Sequence, residues 1–140
     1  WMIAFLDAKE QVKAGPVGCV GHCMSGPFAM MAAARFPRMK AAASLYGVSM
    51  VTADADSPHL AVGGVKGELY LAFAEVDPSV PAPVVPALTA ALDPSKVKHT
   101  LETVAGTHHG YCFAARNDYN AAAAEATWTK LFALWDRNLK

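Results

Sequence analysis

The chain has 140 residues, 54% of them hydrophobic and 17% charged, which suits a single domain with a sizeable core. Twelve Lys and Arg residues balance twelve Asp and Glu residues, so the net charge of zero gives no indication of nucleic acid or an anionic membrane as a partner. No stretch reaches the ~18 continuous apolar residues of a membrane span, and residues 1–7 lack a signal-peptide pattern. The odd count of three Cys favours free thiols in a reducing cytoplasm.

Helical and strand patterns alternate along the chain. They predict, in order, a helix at 2–13, a strand at 16–21, a helix at 24–36, a strand at 41–46, an irregular segment at 48–66, a strand at 68–74, a helix at 83–92, a strand at 97–103 and a helix at about 119–138. Such alternation implies right-handed crossovers and a parallel sheet covered on both faces. We therefore expect an α/β fold in which a sheet of about four parallel strands lies between two layers of helices (a three-layer αβα arrangement). It should form one domain over residues 1–140.

A short segment of small residues, 21–26 (Gly-His-Cys-Met-Ser-Gly), lies between the first predicted strand and the next helix. A tight turn between strand and helix is the pattern of a nucleophile elbow, with Cys23 at its centre. A helix N-terminus favours the thiolate form of such a residue, and the backbone N–H of Met24 would be an oxyanion-hole donor. The alternative for Cys23 is a small buried hydrophobic residue.

Candidate acid and base residues follow later strands. Asp77 comes just after the third predicted strand, and His109 comes just after the fourth. Ligands of parallel sheets bind beyond the carboxyl ends of the strands, where Cys23 is also expected. The chain order nucleophile, acid, base is that of α/β-hydrolases. Glu75 is the alternative acid and His108 the alternative base; a turn residue before Pro is the structural alternative for Asp77.

Three segments together, 21–26, 73–81 and 109–113, resemble the dienelactone hydrolase family, and the resemblance extends over nearly the whole chain. It implies a triad in which Cys23 is the nucleophile, His109 the base and Asp77 the residue that orients the imidazole. It also implies hydrolysis of a small ester or lactone without a cofactor. Ser25 stands where many members have glycine, a change that a small residue should allow.

The chain begins at what resembles the helix before the family's elbow, so the N-terminal strands of the family have no counterpart in it. We therefore expect an exposed sheet edge beside the elbow strand and a homodimer formed through that edge. The alternative function, from another class, is a truncated hydrolase fold with weak or no catalysis that acts as a dimerising or ligand-binding module.

Two residues near His109 are candidates for substrate binding. Arg116 could hold a substrate carboxylate by bidentate contact, with a surface cation as the alternative. Tyr111 could form a pocket wall, with a core position as the alternative.

The remaining cysteines and histidines have weaker claims to a chemical role; His59 and His99 are expected at surface or strand positions. Cys19 and Cys112 are expected to pack, and His22 to pack or form a hydrogen bond. A zinc site made of Cys19, Cys23, His108 and Cys112 is disfavoured, because Cys19 should lie in mid-strand rather than in a loop. No metal is expected.

Overall fold

A four-stranded parallel sheet forms the centre of the computed structural model, which describes residues 2–140. Its strands, in the order β1-β2-β3-β4, are β1 (Val17–His22), β2 (Met39–Leu45), β3 (Glu68–Val76) and β4 (Lys98–His108). The α-helices are α1 (Met2–Asp7), α2 (Gly26–Arg35), α3 (Val84–Leu92) and α4 (Ala121–Asn138), with short 3₁₀ helices at Cys23–Ser25, Pro58–Gly64 and Asp93–Ser95. Every neighbouring pair of strands is parallel, so the predicted α/β fold is confirmed.

The sheet is covered on both faces. The strands lie side by side in the order in which they occur in the chain, so right-handed connections between them all cross the same face of the sheet. Helices α2 and α3 pack on that face. Side chains of β3 alternate between the two faces, as the period of a strand requires. Leu69, Leu71 and Phe73 join the core beneath α2 and α3, whereas Tyr70 and Ala72 join the core beneath α4. With one core on each face, the sheet lies between two layers of helices, which is the predicted three-layer arrangement.

The first helix is shorter than its sequence pattern predicts. It ends at Asp7 rather than at residue 13, and only turns follow it. The helical spacing of Trp1, Phe5, Ala8 and Val12 carried that prediction, but Phe5 is 60% exposed, and Trp1 lies outside the described residues. A short helix depends on burial of its apolar face, so the pattern alone does not extend this one.

The fourth strand is longer than predicted. It runs to His108 instead of residue 103, because β3 pairs with it as far as the contact of Val76 with His108. A register irregularity between Ala74 and Val76 accompanies this extension. The two strands therefore end together, which places Asp77 and His109 at one edge of the sheet.

Strand β1 forms one edge of the sheet and pairs only with β2 within the described part of the chain. Among residues 2–140, no helix has both the length and the apolar character that crossing a bilayer would require.

Candidate active site

The turn between β1 and α2 has the backbone conformation of a strained elbow. Cys23 has a φ of +53°, in the left-handed region that non-glycine residues seldom occupy. A Cβ atom at Gly21 would lie 2.1 Å from the Ser25 carbonyl oxygen, and one at Gly26 would lie 2.3 Å from Ser44 Oγ. Only glycine fits at these two positions, so the chain can turn tightly enough to leave Cys23 partly exposed at the start of the helical segment.

Hydrogen bonds brace the elbow on both sides. The Ser25 hydroxyl accepts from the His22 backbone N–H at 2.7 Å and donates to the His22 carbonyl at 2.8 Å. The Cys23 carbonyl accepts from the Val48 N–H at 3.2 Å. Serine at position 25 therefore does more than fit the turn, because its hydroxyl fixes the residue that precedes Cys23.

Asp77 and His109 form a short hydrogen bond beyond the ends of β3 and β4. Asp77 Oδ2 lies 2.6 Å from His109 Nδ1, and the other carboxylate oxygen accepts from the Ser79 N–H at 2.9 Å. The Asp77 side chain is 2% exposed and the His109 side chain 19%. With Nδ1 donating to the carboxylate, Nε2 of a neutral imidazole is left as a proton acceptor.

The two alternative residues have other surroundings. His108, the last residue of β4, is exposed. Glu75 is also exposed, and its Oε2 accepts from the Gly106 N–H at 2.7 Å. The structure thus brings together Asp77 and His109, and it ties Glu75 to the backbone of the neighbouring strand.

A buried tyrosine that the sequence analysis did not single out lies against the imidazole. The rings of Tyr46 and His109 meet edge to face, with centroids 5.3 Å apart and an interplanar angle of 67°. Burial, followed by the nearby thiols of Cys112 and Cys23 and the Tyr111 hydroxyl, raises the pKa of Tyr46, so its hydroxyl stays neutral. One signal in the sequence could have found it, because Tyr46 directly follows β2 at the same sheet edge.

Tyr111 and Arg116, the two candidate substrate-binding residues, differ in their surroundings. Tyr111 is fully buried, and its hydroxyl shares a 2.8 Å hydrogen bond with Thr127 of α4, so the structure places it in the core rather than on a pocket wall. The Arg116 side chain is 51% exposed and crosses Gly110, where a Cβ atom would lie 2.7 Å from Arg116 Nε. Its guanidinium, 3.9 Å from Asp118, can be reached from solvent beside the His109 turn.

The other cysteines are in buried surroundings. Burial raises the pKa of Cys19 to about 11, and Cys19 Sγ lies 3.7 Å from the Ala29 carbonyl oxygen. Burial likewise raises the pKa of Cys112 to about 11. In the part of the chain that the structure describes, no group of three His, Cys, Asp or Glu side chains is arranged to hold a metal ion.

His22 packs among aromatic rings. Its ring centroid lies 5.3 Å from that of Phe113, 5.7 Å from that of Tyr46 and 5.8 Å from that of Trp128. Desolvation lowers the pKa of His22, so these apolar surroundings favour its neutral imidazole.

A larger cavity lies away from these residues. It has a volume of about 530 Å³ and runs along α2, between Phe28, Phe36 and the segment from Ser49 to Pro58. A smaller one, of about 300 Å³, is lined in part by Asp77 and Val80. The larger cavity does not mark the candidate active site, because Asp77, His109 and the elbow are not among the residues that line it.

Comparison with known proteins identifies the family of the chain. The family model of the dienelactone hydrolase family matches residues 2–139. The chain belongs to the dienelactone hydrolase family.

Individual relatives support this assignment. The chain is 31% identical over 141 residues to a Synechocystis sp. protein named "Putative carboxymethylenebutenolidase", with 99% of this chain and 57% of that protein aligned. It is 28% identical over 115 residues to the human "Carboxymethylenebutenolidase homolog", with 81% of this chain and 44% of that protein aligned. The chain thus spans about half the length of these curated relatives.

A solved structure has the same fold. The crystal structure named "Putative Dienelactone Hydrolase" from Klebsiella pneumoniae superposes with a TM-score of 0.87 at 20% identity, over 96% of this chain and 57% of that one. This likeness shows the α/β arrangement of strands and helices.

Proposed function

We propose that this chain hydrolyses a small ester or lactone, with Cys23 as nucleophile, His109 as base and Asp77 as the residue that orients the base. The observation that carries the proposal is the 2.6 Å hydrogen bond between the buried Asp77 carboxylate and His109 Nδ1. This bond lies at the carboxyl ends of the strands, where Cys23 follows β1 with a left-handed backbone conformation. Membership of the dienelactone hydrolase family supports the same reaction class.

The first half of the reaction forms an acyl-enzyme. His109 Nε2 accepts the Cys23 thiol proton as the sulfur attacks the substrate carbonyl carbon. The tetrahedral oxyanion forms at the start of the helical segment, where the Met24 N–H can donate to it, since first-turn N–H groups have no partner within a helix. The C–O bond of the ester then breaks, and the alkoxide leaves with the proton that His109 carried. A lactone opens in the same way and keeps its alcohol attached.

The second half restores the enzyme. His109 Nε2 removes a proton from water, whose oxygen attacks the thioester carbonyl; the C–S bond then breaks, the carboxylic acid is released, and the Cys23 sulfur takes back the proton from His109. In both halves the imidazolium is stabilised by the Asp77 carboxylate, which also keeps the proton on Nδ1 of the neutral ring. Ser79 holds that carboxylate through its backbone N–H.

The proposal extends to substrate class. Arg116 is exposed and lies beside the His109 turn, so a substrate that carries a carboxylate could be held by its guanidinium. Esters and lactones with an acidic group should therefore be better substrates than neutral ones of equal size.

A homodimer is the proposed assembly. Strand β1 is a sheet edge without a charged residue, and charges are a common means of preventing edge pairing. Beside it, Trp135 lies within about 3 Å of where a Cβ of Gly18 would be, and Phe132 stands 54% exposed against Trp135. A second copy would pair its own β1 with this edge and cover Phe132.

The proposed location is a reducing cytoplasm, where thiols persist, because this suits a cysteine nucleophile.

Turnover of p-nitrophenyl acetate by the 140-residue chain tests the enzyme proposal. Cys23→Ala should lower kcat/KM at least about 100-fold, because the nucleophile is removed. Cys19→Ala is the matched control, since it removes a thiol from the middle of β1, the strand that leads into the elbow. Equal turnover by the folded wild type and Cys23→Ala would refute the nucleophile assignment. It would favour the alternative of a dimerising or ligand-binding module.

A further inference from the structure

Tyr46 has a backbone conformation that bulky residues rarely adopt. Its φ is +41°, and it immediately follows β2 at the sheet edge where Asp77 and His109 lie. An aromatic residue in this region is a steric outlier, and such outliers persist where the surroundings hold them and often occur at functional sites.

Backbone contacts of residues 46–48 connect this turn to two parts of the site. The Tyr46 N–H donates to the Ala72 carbonyl of β3 at 2.6 Å, and the Val48 N–H donates to the Cys23 carbonyl at 3.2 Å. Gly47 lies close to the elbow helix, because its Cα would be 2.7 Å from a Cβ at Gly26. The turn is therefore attached to the central strand on one side and to the elbow on the other.

The ring of Tyr46 extends from this turn to the base. It meets the His109 imidazole edge to face at 5.3 Å and rests on Tyr111 at 5.4 Å. Tyr46 is fully buried, yet its hydroxyl forms no hydrogen bond with the described residues. Packing of the ring, rather than a bond of its hydroxyl, therefore sets its position.

We infer that Tyr46 is a positioning residue that holds the His109 imidazole and the Cys23 backbone in one fixed relative geometry. This inference rests on the proposed hydrolase function. The Asp77 hydrogen bond fixes one ring atom of His109 but leaves rotation about that bond open, and the Tyr46 ring blocks this rotation. The same residue begins the turn whose Val48 N–H holds Cys23, so displacement of either catalytic group must displace Tyr46.

Tyr46→Met is the test, because it refills much of the volume with an unbranched side chain but has no ring. We expect kcat for p-nitrophenyl acetate to fall by roughly 10- to 100-fold, with KM changed less than about twofold, since small misplacements of catalytic groups act mainly on kcat. Tyr46→Phe, which keeps the ring, should regain most of that loss. The matched control is Tyr70→Met, which removes an equally buried tyrosine from β3 that does not contact His109.

Nuclear magnetic resonance of the imidazole makes the test independent of turnover. In the wild type, the His109 Nδ1 proton should be shifted downfield and protected from exchange by its bond to Asp77, and cross-peaks should connect the rings of Tyr46 and His109. Tyr46→Met should broaden or lose the Nδ1 signal, whereas Tyr46→Phe and Tyr70→Met should keep it.

The outcomes separate the two proposals. Ester turnover by the wild type that is no greater than that of Cys23→Ala defeats the proposed Cys23-dependent hydrolysis even if the imidazole signals behave as expected. Positioning by Tyr46 is overturned if folded Tyr46→Met keeps the Nδ1 signal and the wild-type kcat. If Tyr46→Met does not fold, the wild-type cross-peaks decide, and their absence overturns the positioning role.

Discussion

Glu68 provides the sharpest test of the folded structure, because it is a buried carboxylate with several cationic or polar partners. It begins β3, and its side chain is 4% exposed. Arg137 of α4 donates to it from Nη2 at 2.6 Å and from Nε at 3.0 and 3.1 Å. Asn138 Nδ2 lies 2.9 Å away and Lys98 Nζ 3.1 Å away. These contacts join the sheet to the last turn of α4.

The contribution of these contacts to the free energy of unfolding can be worked out from the pKa of Glu68. Burial by itself would raise the pKa of Glu68, but the hydrogen bonds from Arg137, Asn138 and Lys98 outweigh it and lower the pKa from 4.5 to about 2. At 1.36 kcal/mol per pKa unit, this difference corresponds to roughly 3 kcal/mol of stability. Because the folded pKa is the lower one, the contribution is fully present above pH 4.5 and is lost as the pH falls towards 2.

Urea denaturation of the wild type and Glu68→Gln, from pH 7 down to pH 2, measures this contribution. At pH 7 the variant should be less stable by up to roughly 3 kcal/mol, and the difference should shrink towards zero by about pH 2. Glu125→Gln, in an exposed part of α4, is the control and should change stability by less than about 0.5 kcal/mol at any pH. A Glu68→Gln deficit that stays constant over this pH range would refute the assignment of the effect to the charge of Glu68.

Three further predictions concern the site and the assembly. Iodoacetamide at pH 8 should label Cys23 first, because the other two thiols, with pKa values of about 11, are only about one-thousandth ionised; mass spectra showing either of them labelled first would contradict this. Tyr111→Phe should cost about 1 kcal/mol in thermal unfolding because it leaves Thr127 without its partner, whereas Tyr46→Phe should cost close to nothing, so equal losses would be inconsistent with the hydrogen bonds seen here. Sedimentation should show a dimer that Phe132→Glu dissociates and that Phe5→Glu, on an equally exposed ring, leaves intact; a wild-type monomer would rule the dimer out.

Local patterns predicted the architecture, and together with the family resemblance they named the candidate triad. Alternating apolar strands and helices require a parallel sheet, because such strands must be buried on both faces. In that sheet, residues that follow strands converge at one edge, which is why Cys23, Asp77 and His109 could be chosen without coordinates. Small residues at Gly21 and Gly26 indicated a tight turn, and the structure shows that no Cβ fits at either position.

Composition and spacing do not separate neighbouring residues of the same type; His109 was preferred to His108 through the family resemblance, and the tertiary structure shows how their surroundings differ. His108 and His109 are adjacent and chemically identical, and only the register of β4 against β3, which ends at the Val76–His108 contact, turns His109 towards Asp77. Burial of Tyr111 beneath α4 was likewise invisible in the sequence, because an aromatic beside a loop fits a pocket wall as well as a core.

The same reason accounts for Tyr46 and for the first helix. Tyr46 has no motif of its own; its contact with His109 arises because strands β2 and β4, which are far apart in the chain, end at the same edge. The helix predicted at residues 2–13 ends at Asp7, and Phe5 within it is 60% exposed. Sequence determines which residues are able to form strands, turns and reactive groups, because those propensities are local. Register, burial and the pairing of side chains are decided only when distant segments pack together.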